Sequence, residues 1–103
     1  FELNYHSPFM LNVVNVKIDV KEKIPAVVHV DNTCRVQTVK KDENPHFYNL
    51  ISQFYSKTDV PILLNTSFNE NEPIVMKPEE ALDCLLRTDM DVLFINNFQI
   101  NKL

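Results

Sequence analysis

A small α/β domain, built on a mixed sheet with at least two helices, is the fold this sequence predicts. Three observations carry the prediction. Residues 45–58 and 78–87 each open on a proline and repeat apolar residues at helical spacing. Several short runs rich in Val, Ile and Leu read as strands. A helix followed closely by the apolar run Val60-Pro61-Ile62-Leu63-Leu64 suggests a crossover packed on a sheet.

Taken in order, residues 1–8 form a lead-in, with Ser7-Pro8 marking a turn or an extended segment. Phe9 to Val16 is rich in β-branched and apolar residues and is expected to be a strand, and Asp19 to Lys23 a charged loop. Ala26 to Val30 reads as a second short strand. Arg35 to Val39 alternates polar and apolar residues as a half-buried strand does. Asp31-Asn32 suits the tight turn of a hairpin between these two.

Asn44 and Pro45 supply the N-cap and first position of the first helix, which Thr58-Asp59 ends. Phe47, Leu50, Ile51, Phe54 and Tyr55 line one face, expected to be core. A strand over 60–65 follows, then a brief extended segment at 72–76. Pro78 starts the second helix, with Glu79 and Glu80 where the helix dipole favours negative charge and Arg87 where it favours positive. Ala81, Leu82, Leu85 and Leu86 are its expected buried face. Asp91 to Ile95 is a buried strand, Asn96-Asn97 a turn, and Phe98 to Ile100 an edge strand.

Composition narrows the function classes. The chain has 103 residues, 45% of them hydrophobic and including seven Phe and three Tyr, enough for the core of one modest domain. Its net charge is −4, and Lys and Arg are scattered, which argues against a nucleic-acid surface. No apolar run approaches the roughly 20 residues of a membrane span. The start has neither an initiator Met nor a signal-peptide pattern, so a piece of a longer, cytoplasmic protein is expected. Cys34 and Cys84 fit no metal spacing, and no metal site is expected. Cys84 reads as a buried thiol, whereas Cys34, in a polar stretch, is open to reaction. The sequence contains no Gly, so Asn32, Asn71, Asn96 and Asn97 are candidates for left-handed backbone.

Two polar groups stand out. Asn65, Thr66, Ser67 and Asn69 crowd the end of the apolar run, where α/β sheets place ligands. Their amides and hydroxyls suit phosphate, ribose or a small acyl group, and equally suit turns that satisfy their own backbone. His29, Asp31, Thr33 and Arg35 would share a face if the chain stayed extended, and Arg35 carries the fork that anions favour. His29 also reads as a structural histidine bonded to Asp31 or to backbone. Ser67 lacks a nucleophile elbow, and the chain has no Gly-rich phosphate loop.

The run from Ile24 to Val39, containing His29-Val30-Asp31-Asn32-Thr33 and Arg35-Val36-Gln37-Thr38-Val39, resembles nodulation-type O-carbamoyltransferases. In the same order, Ser7 to Met10, Asn44-Pro45 with Phe47-Tyr48, Val60-Pro61, Leu64 to Asn69, Glu72 to Val75, and Pro78 to Leu82 are similar to that family. Asn32 stands where the family commonly has Gly. The resemblance implies the C-terminal domain of such an enzyme over residues 1–103, truncated at its N-terminal side. Its fold would be part of a carbamoyl-adenylate synthase-like fold, similar to threonylcarbamoyl-adenylate synthases.

It also implies a function. The domain would form carbamoyl-adenylate from carbamoyl phosphate and ATP with Mg, for transfer to a small-molecule hydroxyl acceptor. Transfer would occur in a kinase-like N-terminal domain of the same chain, which holds a metal of its own. Ser67-Phe68-Asn69 fits the Ser-x-Asn pair of the adenylate-forming relatives, while their upstream Lys-x-Arg pair is not in this sequence. On this basis Arg35 and Ser67 are the expected catalytic residues. Asn65, Thr66, Ser67, Asn69, Arg35, His29, Asp31 and Thr33 are expected to bind nucleotide and carbamoyl phosphate. Adenylate formation gathers negative charge that cations must offset, so the isolated piece is expected to be inactive. Competing expectations are threonylcarbamoyl-adenylate chemistry and a non-catalytic nucleotide-binding or docking module.

Overall fold

The computed structural model describes residues 1–102. Two helices and four short strands bear out the α/β composition. The strands form two separate two-stranded antiparallel sheets in place of the one mixed sheet expected. The chain divides into two compact units, Phe1–Leu64 and the remainder from Asn65.

In the first unit, β1 (Val13–Asn15) pairs antiparallel with β2 (Thr33–Arg35), and Val13 lies opposite Arg35, Val14 opposite Cys34. Side chains alternate across the pleat, so Val14 and Cys34 face inward while Val13 and Arg35 face outward. Val14, Val16, Ile24, Cys34 and Val36 make the core, with Phe1, Leu3, Val60 and Ile62 packed around it.

Six sequence expectations change here, one of them the strand expected over Arg35 to Val39, of which Arg35 alone lies in a strand. The strand expected over 9–16 shrinks to β1, because Met10 takes left-handed backbone at φ 56° and interrupts the extended run. Asp19 to Lys23 is not all loop: Lys21–Lys23 form a 3₁₀ turn. Pro25–Val27 form another, where a strand was expected. Pro25 fixes φ near helical values, and Val28 N–H closes the turn on the Pro25 carbonyl. Asp31-Asn32 therefore joins no hairpin of the expected kind. Instead Asn32, at φ 65°, turns the chain into β2, with His29 N–H donating to Thr33 O at 2.7 Å. The run 60–65 is not a strand either. Pro61 has no N–H to give a ladder, and Val60 and Ile62 pack on the core as irregular chain.

Helix α1 (Pro45–Thr58) has the expected ends: the Asn44 side chain accepts from Phe47 N–H at 3.2 Å, and Asp59 closes it at φ 64°. Its apolar stripe is not core, since no residue of α1 is buried. Phe47, Ile51 and Phe54 are half-covered, while Leu50 is 59% and Tyr55 49% exposed. Helical periodicity establishes an apolar face, but the residues packed on the β-core are Phe1, Leu3, Val20, Val27, Val28, Val60 and Ile62, none of them from α1.

In the second unit, α2 (Pro78–Arg87) buries Ala81, Cys84 and Leu85. Leu82 and Leu86, expected to be buried, are exposed, because residues at i, i+3 and i+4 already cover the narrow hairpin beneath. That hairpin is β3 (Val92–Ile95) with β4 (Phe98–Asn101), Leu93 opposite Ile100, turned by Asn96 at φ 52°. Ala81, Leu85 and Leu93 form the core, joined by Phe68, Val75 and Ile100. Of the four Asn candidates for left-handed backbone, Asn32 and Asn96 adopt it and Asn71 and Asn97 do not; Met10 and Asp59 do.

Candidate functional site

The polar loop at the start of the second unit is anchored by Phe68, whose side chain packs on the core between Ser67 and Asn69. Its carbonyl accepts Val75 N–H at 3.0 Å, closing the loop on itself. Ser67 is exposed and Asn69 half-buried. The Ser67 hydroxyl donates to Asn69 Oδ1 at 2.6 Å, and Asn69 Nδ2 donates to the Glu72 carbonyl at 2.7 Å. A carbonyl only accepts, so the second bond fixes which way the Asn69 amide faces and makes Ser67 the donor in the first. Two features are then left for a ligand: the lone pairs of Ser67 Oγ and the second N–H of Asn69 Nδ2. That pattern suits an amide or hydroxyl donor, such as a carbamoyl NH₂ or a ribose OH, beside an oxygen acceptor. Thr66 and Asn65 are exposed on the same loop.

Sequence reasoning missed the loop's brace. Arg87, from the last turn of α2, donates to Glu72 Oε1 at 2.6 Å, to Asp83 Oδ2 at 2.7 Å and to Glu70 Oε1 at 3.3 Å. Glu72 Oε1 and Oε2 also accept the backbone N–H groups of Glu70 and Asn71. The Arg87 hydrogen bond, helped by these N–H groups, holds the Glu72 carboxyl down to about 2. Glu72 and then Asp83 raise Arg87 further above its ordinary value. The i, i+4 spacing of Asp83 and Arg87 is the one signal of this cluster in the sequence. Glu72, Glu79, Glu80, Asp83 and Arg87 line an open cleft of about 300 Å³, whose acidic rim disfavours a phosphate.

The other predicted residues lie in the first unit. Asp31 Oδ1 accepts from Thr33 N–H at 3.1 Å and from the Thr33 hydroxyl at 2.6 Å, and His29 Nδ1 lies 3.2 Å from the same hydroxyl. Thr33 holds the Asp31 carboxyl below its ordinary range. These three side chains therefore satisfy one another around the Asn32 turn, which is the structural reading of His29.

Arg35 is braced elsewhere. Its Nε and Nη2 donate to the Met10 carbonyl at 3.3 and 3.1 Å, not to His29, Asp31 or Thr33. One edge of the guanidinium is used, and the end-on pair of Nη1 and Nη2 N–H groups is left at the surface. Left-handed backbone at Met10 costs a residue with a Cβ about 1–2 kcal/mol, so this carbonyl is held out by its surroundings. Ser7 and Thr38 exchange hydrogen bonds, N–H to Oγ1 at 2.7 Å and N–H to O at 2.8 Å. Asn12 Nδ2 reaches Ser7 Oγ at 3.1 Å, and His6 bridges Thr38 and Glu43.

Cys34 is 2% exposed, and burial pushes its thiol up, which removes the reactivity its polar neighbours suggested. Cys84 is fully buried, as expected. Among the described residues, no helix is long and apolar enough to cross a membrane.

Comparison with known proteins places these residues in a family. The family described as carbamoyltransferase C-terminus matches residues 1–102. An uncharacterized protein of Synechocystis is 40% identical over 99% of this chain and 20% of its own length. Nodulation protein NolO of Bradyrhizobium diazoefficiens is 44% identical over 92% of the chain and 18% of its own length. A 3'-hydroxymethylcephem-O-carbamoyltransferase of Amycolatopsis lactamdurans is 38% identical over 69% of the chain and 13% of its own length. The chain thus spans about a fifth or less of the relatives it matches. Matched by the family along its whole described length, the chain belongs to the carbamoyltransferase C-terminus family.

Proposed function

We propose that this domain is the C-terminal part of a cytoplasmic, ATP-dependent O-carbamoyltransferase. It forms carbamoyl-adenylate from carbamoyl phosphate and Mg-ATP, for a kinase-like N-terminal domain of the same polypeptide, with its own metal, to transfer to a small-molecule hydroxyl. The observation that carries the reading is the Ser67–Asn69 pair. Its orientation is fixed by Glu72, and it presents an acceptor and a donor side by side on an exposed loop. A carbamoyl group, with an NH₂ and a carbonyl oxygen, matches that pattern. The open N–H pair of Arg35 suits a phosphoryl group. Asn65 and Thr66 support the nucleotide side, and His29, Asp31 and Thr33 shape the turn that delivers Arg35.

The chemistry asks these residues for binding and charge stabilisation. Carbamoyl phosphate first loses its phosphate to water, leaving carbamate. As a carbamate oxygen then attacks the α-phosphorus of ATP and pyrophosphate leaves, negative charge spreads over the phosphoryl oxygens, and Arg35 offsets part of it. Ser67 and Asn69 bind the carbamoyl group through its NH₂ and its carbonyl oxygen.

The test follows exchange of labelled pyrophosphate into ATP by the full-length protein, with and without carbamoyl phosphate. The expected result is exchange that needs carbamoyl phosphate and falls about tenfold or more in Arg35→Ala and Ser67→Ala. Exchange independent of carbamoyl phosphate, or variants as active as wild type, overturns the reading. The second outcome favours a non-catalytic docking module, a reading motivated by the uncovered Leu50 and Tyr55 on α1.

A further inference from the structure

We infer that Met10 is a positioning residue: its left-handed backbone aims a carbonyl that sets which edge of the Arg35 guanidinium faces an anionic substrate. The inference rests on the proposed role of Arg35 and adds to it the element that orients the group. Arg35 lies on a three-residue strand, at an exposed position opposite Val13. A long flexible side chain there has many rotamers, and the cross-strand neighbour, a valine, offers it no polar partner. Met10 supplies one, accepting from both Nε and Nη2. The fork shape of arginine means that occupying this edge turns the other, the Nη1/Nη2 end, outward as a preformed two-donor site.

Met10 reaches this geometry through a backbone conformation that residues with a Cβ avoid, at φ 56°. The segment is pinned on both flanks. Ser7, 97% removed from solvent, exchanges hydrogen bonds with Thr38, and Asn12 reaches back to Ser7 Oγ. His6, held between Thr38 and Glu43, extends the anchor one residue further. The Met10 side chain makes none of these bonds. What matters is the carbonyl, so the effect of a substitution depends on which φ it permits.

This gives a test in the full-length protein, read as KM for carbamoyl phosphate and kcat in the pyrophosphate-exchange assay. Met10→Pro fixes φ near −65° and turns the carbonyl away without touching Arg35. It is expected to raise KM about tenfold, the scale of one misplaced charged hydrogen bond, with a smaller change in kcat. Met10→Gly, which accepts left-handed backbone without strain, rescues KM to near the wild-type value. Met10→Val, disfavoured there but retaining its N–H, raises KM as proline does and replaces it if Met10→Pro lowers the melting temperature. Arg35→Ala is the companion variant. If it raises KM while Met10→Pro and Met10→Val do not, the positioning role is overturned and the anion site stands. If Arg35→Ala leaves KM unchanged, the anion site itself falls and this inference with it. A KM that rises equally in Met10→Gly also overturns the inference, because that variant preserves the backbone.

Discussion

Arg87 Nη2 sits 2.6 Å from Glu72 Oε1, so the last turn of α2 clamps the loop that carries Ser67 and Asn69. The Glu72 carboxyl, held at about 2 chiefly by Arg87, lies below the ordinary glutamate value of 4.5. A depressed carboxyl contributes its full stability above the unfolded value and loses it as pH falls toward the folded one. The melting-temperature gap between wild type and Glu72→Gln is therefore expected to be constant above about pH 5. It should narrow as pH drops from 4.5 toward 2. A gap that does not change with pH would rule out this clamp.

The fixed amide of Asn69 makes a sharper prediction for activity. Asn69→Asp keeps an acceptor for Ser67 but sets a carboxylate oxygen against the Glu72 carbonyl in place of the N–H donor. Pyrophosphate exchange should fall by more than in Ser67→Ala, for which a loss of about tenfold matches one hydrogen bond to substrate. Ser67→Ala, at an exposed position, should change stability by no more than ~0.5 kcal/mol. Equal exchange rates in the two variants would count against the assigned orientation.

Burial rather than exposure governs both cysteines. In the native protein, Cys34 and Cys84 should react slowly with a thiol reagent, and in denaturant both should react at the rate of a free thiol. Rapid native labelling at Cys34 would contradict its place opposite Val14.

Leu85, fully buried between α2 and β3, is the mechanical centre of the second unit. Leu85→Ala should cost about 2–5 kcal/mol in denaturant unfolding, as large-to-small core changes do. Leu86→Ala, one residue on and exposed, should cost less than ~1 kcal/mol.

Helix α1 has no buried residue to hold it, so its caps carry more weight. Asn44→Ala should cost about 1 kcal/mol through loss of the bond to Phe47 N–H. Asp59→Gly should stabilise by roughly 0.5–1 kcal/mol, since the φ of 64° strains any residue with a Cβ. Circular dichroism during unfolding separates the two variants by the sign of their midpoint shifts.

Read alone, the sequence determined the features that act within one or two turns of chain. Asn44, Pro45 and Pro78 set where the helices begin, Asp59 where the first ends, and the 92–101 hairpin follows from apolar strands around Asn96. The ordered motifs from Ser7 to Leu82 also determined the family, because recurring short motifs need no fold to be recognised. The tertiary structure decided which distant groups win each local contest. Val27 has strand propensity, yet Pro25 and the turn bonds from Val27 and Val28 draw it into a 3₁₀ turn. Cys34 looks polar in sequence but lies inward, because β1 places Val14 opposite it. Arg35 finds its acceptor 25 residues earlier, and Arg87 finds Glu72 15 residues earlier. Local propensities are small and nearly balanced, whereas such long-range bonds and burial fix one choice, and their partners are named only once the chain has folded.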